Sequence, residues 1–433
     1  MTVSEEREFL DSCREQGSVM DLDAMRLLME KLKSPERDFP TVHIAGTNGK
    51  GSVLAYLRSI LKAAGYRCGY YFSPAVFKAG EQTGIGKREM GAARARAYLE
   101  KIRDAALEMK AEGERLPTVF EIETAQAFMY FSEMKADIAI VECGMGGRDD
   151  ATNVLPAPKV CVFAPISADH IGILGDTIAE IAAVKAGIIK KGSRVVSSPQ
   201  DKAVIEELQK ACDYNSCSLT LAKEAKNVRY SLREQSFDYD GYKALKTGLK
   251  GVFQPANAVL ATEAVKALAE TGFDIPEEAL RQGLKEAEWP GRFEILKKKP
   301  YMIIDGAHNE AAARELDASL KEYFGDKRFI GVAGVLKDKD YRKVLEIMMP
   351  HLDQLITLTP PDNPRGLPGI ELAEYARSLM ERVTAADSVE EAYEIAELLS
   401  GGKEDILAFG SLSWLGRWKA EAGKKDKKNG RRK

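Results

Sequence analysis

The chain has 433 residues, and its 63 Lys+Arg against 66 Asp+Glu leave a formal charge of −3. That near balance argues against a protein that lives wholly on nucleic acid or anionic membrane. With 45 % hydrophobic and 30 % charged residues, disorder is excluded for most of the chain, and roughly two or three domains with sizeable cores are expected.

The opening Met1-Thr2-Val3-Ser4-Glu5-Glu6 is acidic, and no later apolar run approaches the roughly 18 residues of a membrane span, so a cytoplasmic protein is expected. From Phe39 onward short apolar strands alternate with amphipathic helices, the signature of an α/β fold with a mostly parallel sheet. Thr41–Ala45 reads as a buried strand. After a glycine-rich turn, Val53, Leu57, Ile60, Leu61 and Ala64 share one helical face, and Gly65 is placed to end that helix. A helix follows over about Phe120–Met134, then strands at Ile138–Val141 and Val160–Phe163. Thr177-Ile178-Ala179-Glu180 is a capping box that starts a helix to about Ala186, and Arg194–Val196 adds a strand. Residues 220–255 read as irregular or β-rich. The six cysteines, Cys13, Cys68, Cys143, Cys161, Cys212 and Cys217, form no CxxC, so neither a zinc site nor a disulfide framework is suggested.

At Trp289-Pro290-Gly291-Arg292 the rhythm restarts, which places a domain break there. The expected division is an ATP-binding domain over 1–289 and a smaller Rossmann-like α/β domain over 290–422. Strands are expected at Tyr301–Ile304, Phe329–Val332, Leu355–Leu358 and Ile406–Phe409. No GxGxxG follows the first of these, so nothing marks a dinucleotide site. Residues 423–433 lack apolar side chains and read as a disordered basic tail. Lys424–Lys433 carry a local +6, which leaves −9 on the other 423 residues.

Gly46-Thr47-Asn48-Gly49-Lys50-Gly51-Ser52, between a buried strand and an amphipathic helix, is the strongest chemical signal. Glycines let backbone N–H groups turn toward phosphate oxygens, the helix N-terminus adds positive potential, Lys50 can reach the β/γ-phosphates and Ser52 can ligate Mg²⁺. It departs from the ordinary P-loop in having no Gly at position 44 and an inserted Gly51. A turn that merely permits a sharp bend is the alternative. Glu142 ends a strand at the sheet edge where α/β proteins bind ligands, and beside a phosphate loop its hard oxygens suit Mg²⁺; alone it would pass for a solvated strand end. Asp169-His170 follows another strand, although a lone histidine is more often structural. Lys185 sits among small neighbours on the capped helix and needs no special explanation by spacing. Asp305-Gly306-Ala307-His308-Asn309 ends the second domain's first strand. Asp305 and His308 could reach a nucleotide across the cleft, and a helix cap is an equal reading.

Together these motifs resemble the folylpolyglutamate synthase / dihydrofolate synthase family, within the Mur-ligase-like ATP-dependent amide ligases. The most specific stretches are HIAGTNGKGSV at 43–53, VECGMGGRDDATNV at 141–154, DHIGILGDTIAEIAAVKAGIIK at 169–190, GRFEIL at 291–296 and DGAHN at 305–309. The resemblance implies ATP bound between two domains, phosphorylation of a pteroate or folate carboxylate, and attack by the amine of L-glutamate on the acyl phosphate. It implies that Asn48, Gly49, Lys50 and Gly51 hold the phosphates and that Ser73, Glu142 and His170 bind Mg²⁺. Asn257 (in Phe253-Gln254-Pro255-Ala256-Asn257), Arg292 and Asp305 would contact the nucleotide. Lys185 matches a lysine that the family carries as a carbamate, and Phe120, Asp150 and Ala151 match positions associated with the pterin.

Departures gather on the folate side. Ser73-Pro74-Ala75 replaces the usual Ser-Pro-His after the second strand, Asp149 replaces an apolar residue and Asp21 a glycine, which opens the question of substrate preference. Dihydropteroate is open as a second substrate. The nearest rival, a peptidoglycan-precursor Mur ligase, usually has an additional N-terminal domain for which 45 residues leave no room. A nucleotide-dependent RNA-binding protein would show basic residues interleaved with aromatics on the folded body, and that pattern is not seen. The reading is a monomer acting on small molecules, with neither nucleic acid nor membrane as partner.

Overall fold

The structure is a computed structural model that describes residues 2–78, 80–168 and 172–430. Eight strands form the first sheet: β1 (Thr41–Ala45), β2 (Cys68–Tyr71), β3 (Thr83–Ile85), β4 (Arg88–Glu89), β5 (Ile138–Glu142), β6 (Val160–Phe163), β7 (Arg194–Ser197) and β8 (Leu219–Leu221). Their order is β4-β3-β2-β5-β1-β6-β7-β8, parallel throughout except at the β2-β3-β4 edge. The expected strands at 41–45, 138–141, 160–163 and 194–196 are all present. Each is buried along almost its whole length, which is why none shows the alternation of apolar and exposed polar residues of a half-buried strand.

Residues 226–247 form a small antiparallel sheet of β9 (Lys226–Arg229), β10 (Gln235–Tyr239) and β11 (Tyr242–Thr247). The third sheet contains β12 (Glu294–Lys298), β13 (Tyr301–Asp305), β14 (Phe329–Ala333), β15 (Leu352–Leu358), β16 (Val383–Ala386) and β17 (Ile406–Phe409), in the order β12-β13-β17-β14-β15-β16. Only β12 runs antiparallel. Helices cover both faces of the two large sheets and divide their cores in the same way. Among the helices, Lys50–Ala63 lies on a face of the first sheet against Gln254–Ala269 and Glu277–Glu286. The capping box at Thr177 is made, with Thr177 Oγ1 accepting from Glu180 N at 3.2 Å. All six cysteines are free. No described helix is long and apolar enough to cross a membrane.

The C-terminus differs from expectation. The last helix spans Leu412–Gly430, so the stretch expected to be irregular from 423 stays helical through 430; residues 431–433 lie outside the described residues. Lysine is a good helix former and Lys424 pairs with Glu421 one turn back, so absence of apolar residues removes packing without ending the helix.

That helix is anchored by two indoles. Trp414 and Trp418 are fully buried and pack edge to face at 6.0 Å, and Trp414 Nε1 donates to Gly334 O at 2.9 Å. Trp418 Nε1 finds no acceptor among the described residues. Trp414→Phe should therefore cost about 1 kcal/mol more than Trp418→Phe, read as a larger drop in the urea midpoint, because only the former leaves a buried carbonyl unpaired.

Candidate active site

Strands β1, β2, β5 and β6 end side by side, and each carries a stretch singled out by the sequence. β1 runs into Gly46–Ser52, β2 into Phe72-Ser73-Pro74, and β5 ends on Glu142, level with Ile44 of β1. The glycine loop is fixed to the segment after β6, since Thr47 N and Asn48 N donate to Pro165 O at 2.8 and 3.3 Å. At Gly49 φ is +85°, and a Cβ would fall 2.6 Å from Asn257 Oδ1; at Gly51 it would fall 2.5 Å from the Trp289 ring. Both positions require glycine for the loop to pass its neighbours. The first N–H groups of helix Lys50–Ala63 have no intrahelical acceptor and carry the positive end of its dipole, an arrangement that suits a phosphate.

Two amines converge on one carbonyl at the start of this loop. Lys50 Nζ donates to Gly46 O at 3.2 Å and Thr47 O at 3.3 Å, and Lys185 Nζ donates to the same Gly46 O at 3.1 Å. Lys185 is buried. Glu142 Oε1 lies 3.7 Å from Lys50 Nζ; burial pushes its carboxyl up, and Lys50 and then Arg292 oppose that rise. A cavity of about 90 Å³ brings together Ser73, Glu142 and Arg292, with Gly51 and Trp289 on its wall.

Ser52 does not line that cavity. It is buried, and its hydroxyl accepts from Gln254 Nε2 at 3.2 Å, while Gln254 Oε1 accepts from Asn257 Nδ2 at 3.3 Å. Gln254 thus ties Ser52 to Asn257, a role that sequence reasoning missed although the residue lies within the quoted stretch. His170 lies outside the described residues. Among the described residues no three His, Cys, Asp or Glu are grouped as a metal site.

On the facing edge, Asp305 is buried with Oδ2 accepting from Phe293 N at 2.7 Å and Oδ1 from Ala307 N at 2.8 Å. Burial raises its carboxyl and Arg292 opposes this. Asp305 therefore shapes the turn that presents Arg292. His308 Nδ1 lies 2.8 Å from Gly306 O. The helix-cap reading of this motif falls on Asn309, whose Oδ1 accepts from Ala312 N at 2.9 Å. Asn309 also exchanges reciprocal amide hydrogen bonds with Asn48, both at 3.3 Å, joining the phosphate loop to the second edge.

A larger cavity of about 390 Å³ shares Ser73 and Pro74 with the first and is lined by Phe120, Asp150 and Ala151. Phe120 stacks on Tyr71 with centroids 6.3 Å apart. Asp150 accepts from Met145 N, Thr152 N and Thr152 Oγ1 at 2.7, 3.0 and 2.5 Å. The unusual Asp21 and Asp149 lie on the same wall. Asp21 is paired at 3.2 Å with Arg115, which clasps Glu121 through two hydrogen bonds of 2.8 Å.

Residues 44–265 match the Mur ligase middle domain, and residues 291–412 match the Mur ligase glutamate ligase domain. The dihydrofolate synthase/folylpolyglutamate synthase of Bacillus subtilis (strain 168) is 33 % identical over 405 residues, covering 91 % of this chain and 93 % of that protein. The chain belongs to the folylpolyglutamate synthase / dihydrofolate synthase family. Within this family, the solved Mycobacterium tuberculosis folylpolyglutamate synthase complexed with ADP and AMPPCP superposes with a TM-score of 0.87 at 30 % identity, covering 96 % of this chain and 99 % of that one. The E. coli FolC structure in complex with DHPP and ADP gives 0.83 at 27 % identity, covering 100 % and 99 %. The likeness therefore extends over both large sheets.

Glu315 is a neighbour of this family site that the sequence did not single out. Burial, with Asp305 adding to it and Arg292 opposing, pushes its carboxyl from 4.5 up to about 7. A carboxyl raised in the folded state contributes stability that is present below its unfolded pKa and lost as pH rises through the folded one. Glu315→Gln, neutral throughout, should match the parent's melting temperature near pH 4 and exceed it near pH 8.5. Parallel melting curves across that range would remove this account of Glu315.

Proposed function

We propose that this chain is an ATP-dependent ligase that adds L-glutamate to folates through an acyl phosphate, as a cytoplasmic monomer. The carrying observation is that Lys50 and Lys185 meet on the carbonyl that opens the glycine loop, while Glu142, 3.7 Å from Lys50, lies on a cavity that shares Ser73 and Pro74 with one walled by Phe120. The proposed division of labour is nucleotide binding by 1–289 and glutamate transfer with 290–422.

In the first half-reaction a carboxylate oxygen of the folate attacks the γ-phosphorus of ATP, and the bond to the ADP oxygen breaks. The loop N–H groups and Lys50 hold the phosphates in line, and Asn257, Arg292 and Asp305 contact the nucleotide. In the second, the glutamate amine attacks the acyl carbon, phosphate leaves and the nitrogen loses a proton, giving the amide. Exclusion of water protects the acyl phosphate between the two steps. Phe120 and Asp150 position the pterin, and His308 stands at the edge facing the phosphate loop.

The oxygen donors Ser73 and Glu142 on one wall fit Mg²⁺, which characteristically takes one or two carboxylates together with substrate phosphates. When bound, it would offset charge on the transferred phosphoryl group. The same electrostatics support the carbamate that the family resemblance implies for Lys185. Its amine shares a carbonyl with Lys50, so two ammonium groups are crowded together. Loss of one proton frees the Nζ lone pair, which forms an N–C bond to CO₂, and loss of a second leaves the carbamate, so two protons are released and a repelled cation would become an anion able to support the metal.

Purified protein offered labelled glutamate and ATP should form product with tetrahydrofolate, with dihydropteroate tested beside it and a muramoyl-peptide precursor as the negative arm. No product with either pterin substrate would sink the proposal. Lys185→Ala should lose about 100-fold or more of turnover and recover part of it in short carboxylates. Full activity without added carboxylate would remove the carbamate assignment.

A further inference from the structure

A cavity of about 610 Å³ lies beside the domain junction and shares Trp289, Pro290 and Arg292 with the cavity that holds Glu142. Besides Arg292 it is lined by Arg233, Lys246, Lys250 and Lys285 from one side and by Lys298 and Lys419 from the other. Three carboxylates face these seven cations. Glu234 pairs with Lys246 at 2.9 Å and Glu294 with Lys419 at 2.6 Å, and Glu288 is the third. Among the described residues no ion pair is made by Arg233, Lys250, Lys285 or Lys298, and Lys250 Nζ has only the Arg233 carbonyl at 3.5 Å. Burial lowers the Lys250 ammonium's pKa; the charge of Glu234 opposes this, and that of Lys298 adds to it. So dense a group of cations, on a folded body carrying −9, lacks the anions that would balance it.

We propose that this cavity binds the trailing α-carboxylates of a γ-linked glutamyl chain while the chain's terminal carboxylate lies at Glu142. The inference rests on the folate-ligase reading and gives that substrate a second binding site. Each turnover lengthens the chain by one glutamyl unit and adds one negative charge. The reacting carboxylate must return to the same place every time, so the extra length has to be accommodated elsewhere. The basic cavity opens across Trp289 from the reaction site and supplies several mobile ammonium groups, which suit carboxylates repeated along a flexible chain. Trp289 is its sole aromatic wall apart from the buried Phe293, so it offers no series of stacking platforms for nucleobases.

The test uses full-length protein and folates carrying one, three and five glutamates. In the double variant Lys250→Glu/Lys298→Glu, KM for the monoglutamate should stay within about twofold of the parent while KM for the pentaglutamate rises about tenfold or more, and the parent's advantage should shrink in high salt. The milder Lys250→Gln/Lys298→Gln should show the same ordering if charge reversal impairs folding. Calorimetric titration with pterin-free penta-γ-glutamate reads the site without turnover and should show binding that the variants weaken. Equal effects on all chain lengths, or unchanged pentaglutamate binding, would overturn the site while leaving the ligase reading intact. Failure of the parent to ligate any folate would overturn the ligase reading, and the calorimetric arm would still decide whether the cavity takes a glutamyl chain. A short single-stranded oligonucleotide that binds there when penta-γ-glutamate does not would also overturn it.

Discussion

Two ammonium groups reaching for one backbone oxygen set the terms for the whole site. Lys50 and Lys185 come from different helices, and both donate to Gly46 O, with Glu142 the nearby carboxylate. At an effective dielectric of about 20, two like charges about 4 Å apart repel by about 4 kcal/mol. The buried Glu142 carboxylate, 3.7 Å from Lys50, can balance one of the two charges and leaves the other over. The region is therefore short of negative charge, which incoming phosphates can supply. This local deficit draws anionic substrates to a body whose overall charge would repel them.

The sheet makes that convergence possible. Because β1 lies between β5 and β6 with all three parallel and level, the loop after β1, the end of β5 and the turn after β6 are forced to one edge. Helix Gln254–Ala269 then packs so close that its Asn257 leaves no room for a side chain at Gly49. The second sheet meets the same point through Asn309, which closes the loop from above by pairing with Asn48. Trp289 covers Gly51 and packs on Phe72 at 4.8 Å, so the junction between the domains is itself part of the site wall.

What the sequence disclosed follows from this geometry. Fully buried parallel strands such as Ile138–Glu142 and Val160–Phe163 leave unbroken apolar runs, and the capping box at Thr177 is a local signal complete within four residues. β2, Cys-Gly-Tyr-Tyr, is just as buried but has no aliphatic residue, so spacing alone did not mark it. The short β3 and β4 at the antiparallel edge carry no period long enough to read. Glu142 was legible because a carboxylate directly after a core strand is conspicuous. Gln254 was not, since the partner that gives it meaning, Ser52, lies 202 residues away. The same holds for Asn48 and Asn309, 261 residues apart. Asp305 was read from its strand-end position, while its bonds to Phe293 N and Ala307 N, which make it the former of the Arg292 turn, depend on the fold.

The residues that depart from the family pattern sort by location in an informative way. Asp21 and Asp149 both lie on the wall of the Phe120 cavity, and Ala75 follows the Ser73-Pro74 step between the two cavities, whereas the phosphate loop and Glu142 keep their motif. Asp21 is held at 3.2 Å by Arg115, whose guanidinium is already committed to the buried Glu121. An added carboxylate there is thus partly neutralised by a cation the fold keeps in place, so the wall gains an acceptor at modest electrostatic cost. Chemistry common to every substrate is confined to the sheet edge, where register and glycine contacts tolerate little change. The Phe120 cavity is built from loops and helix termini, where a substitution can change the wall without moving the sheet edge.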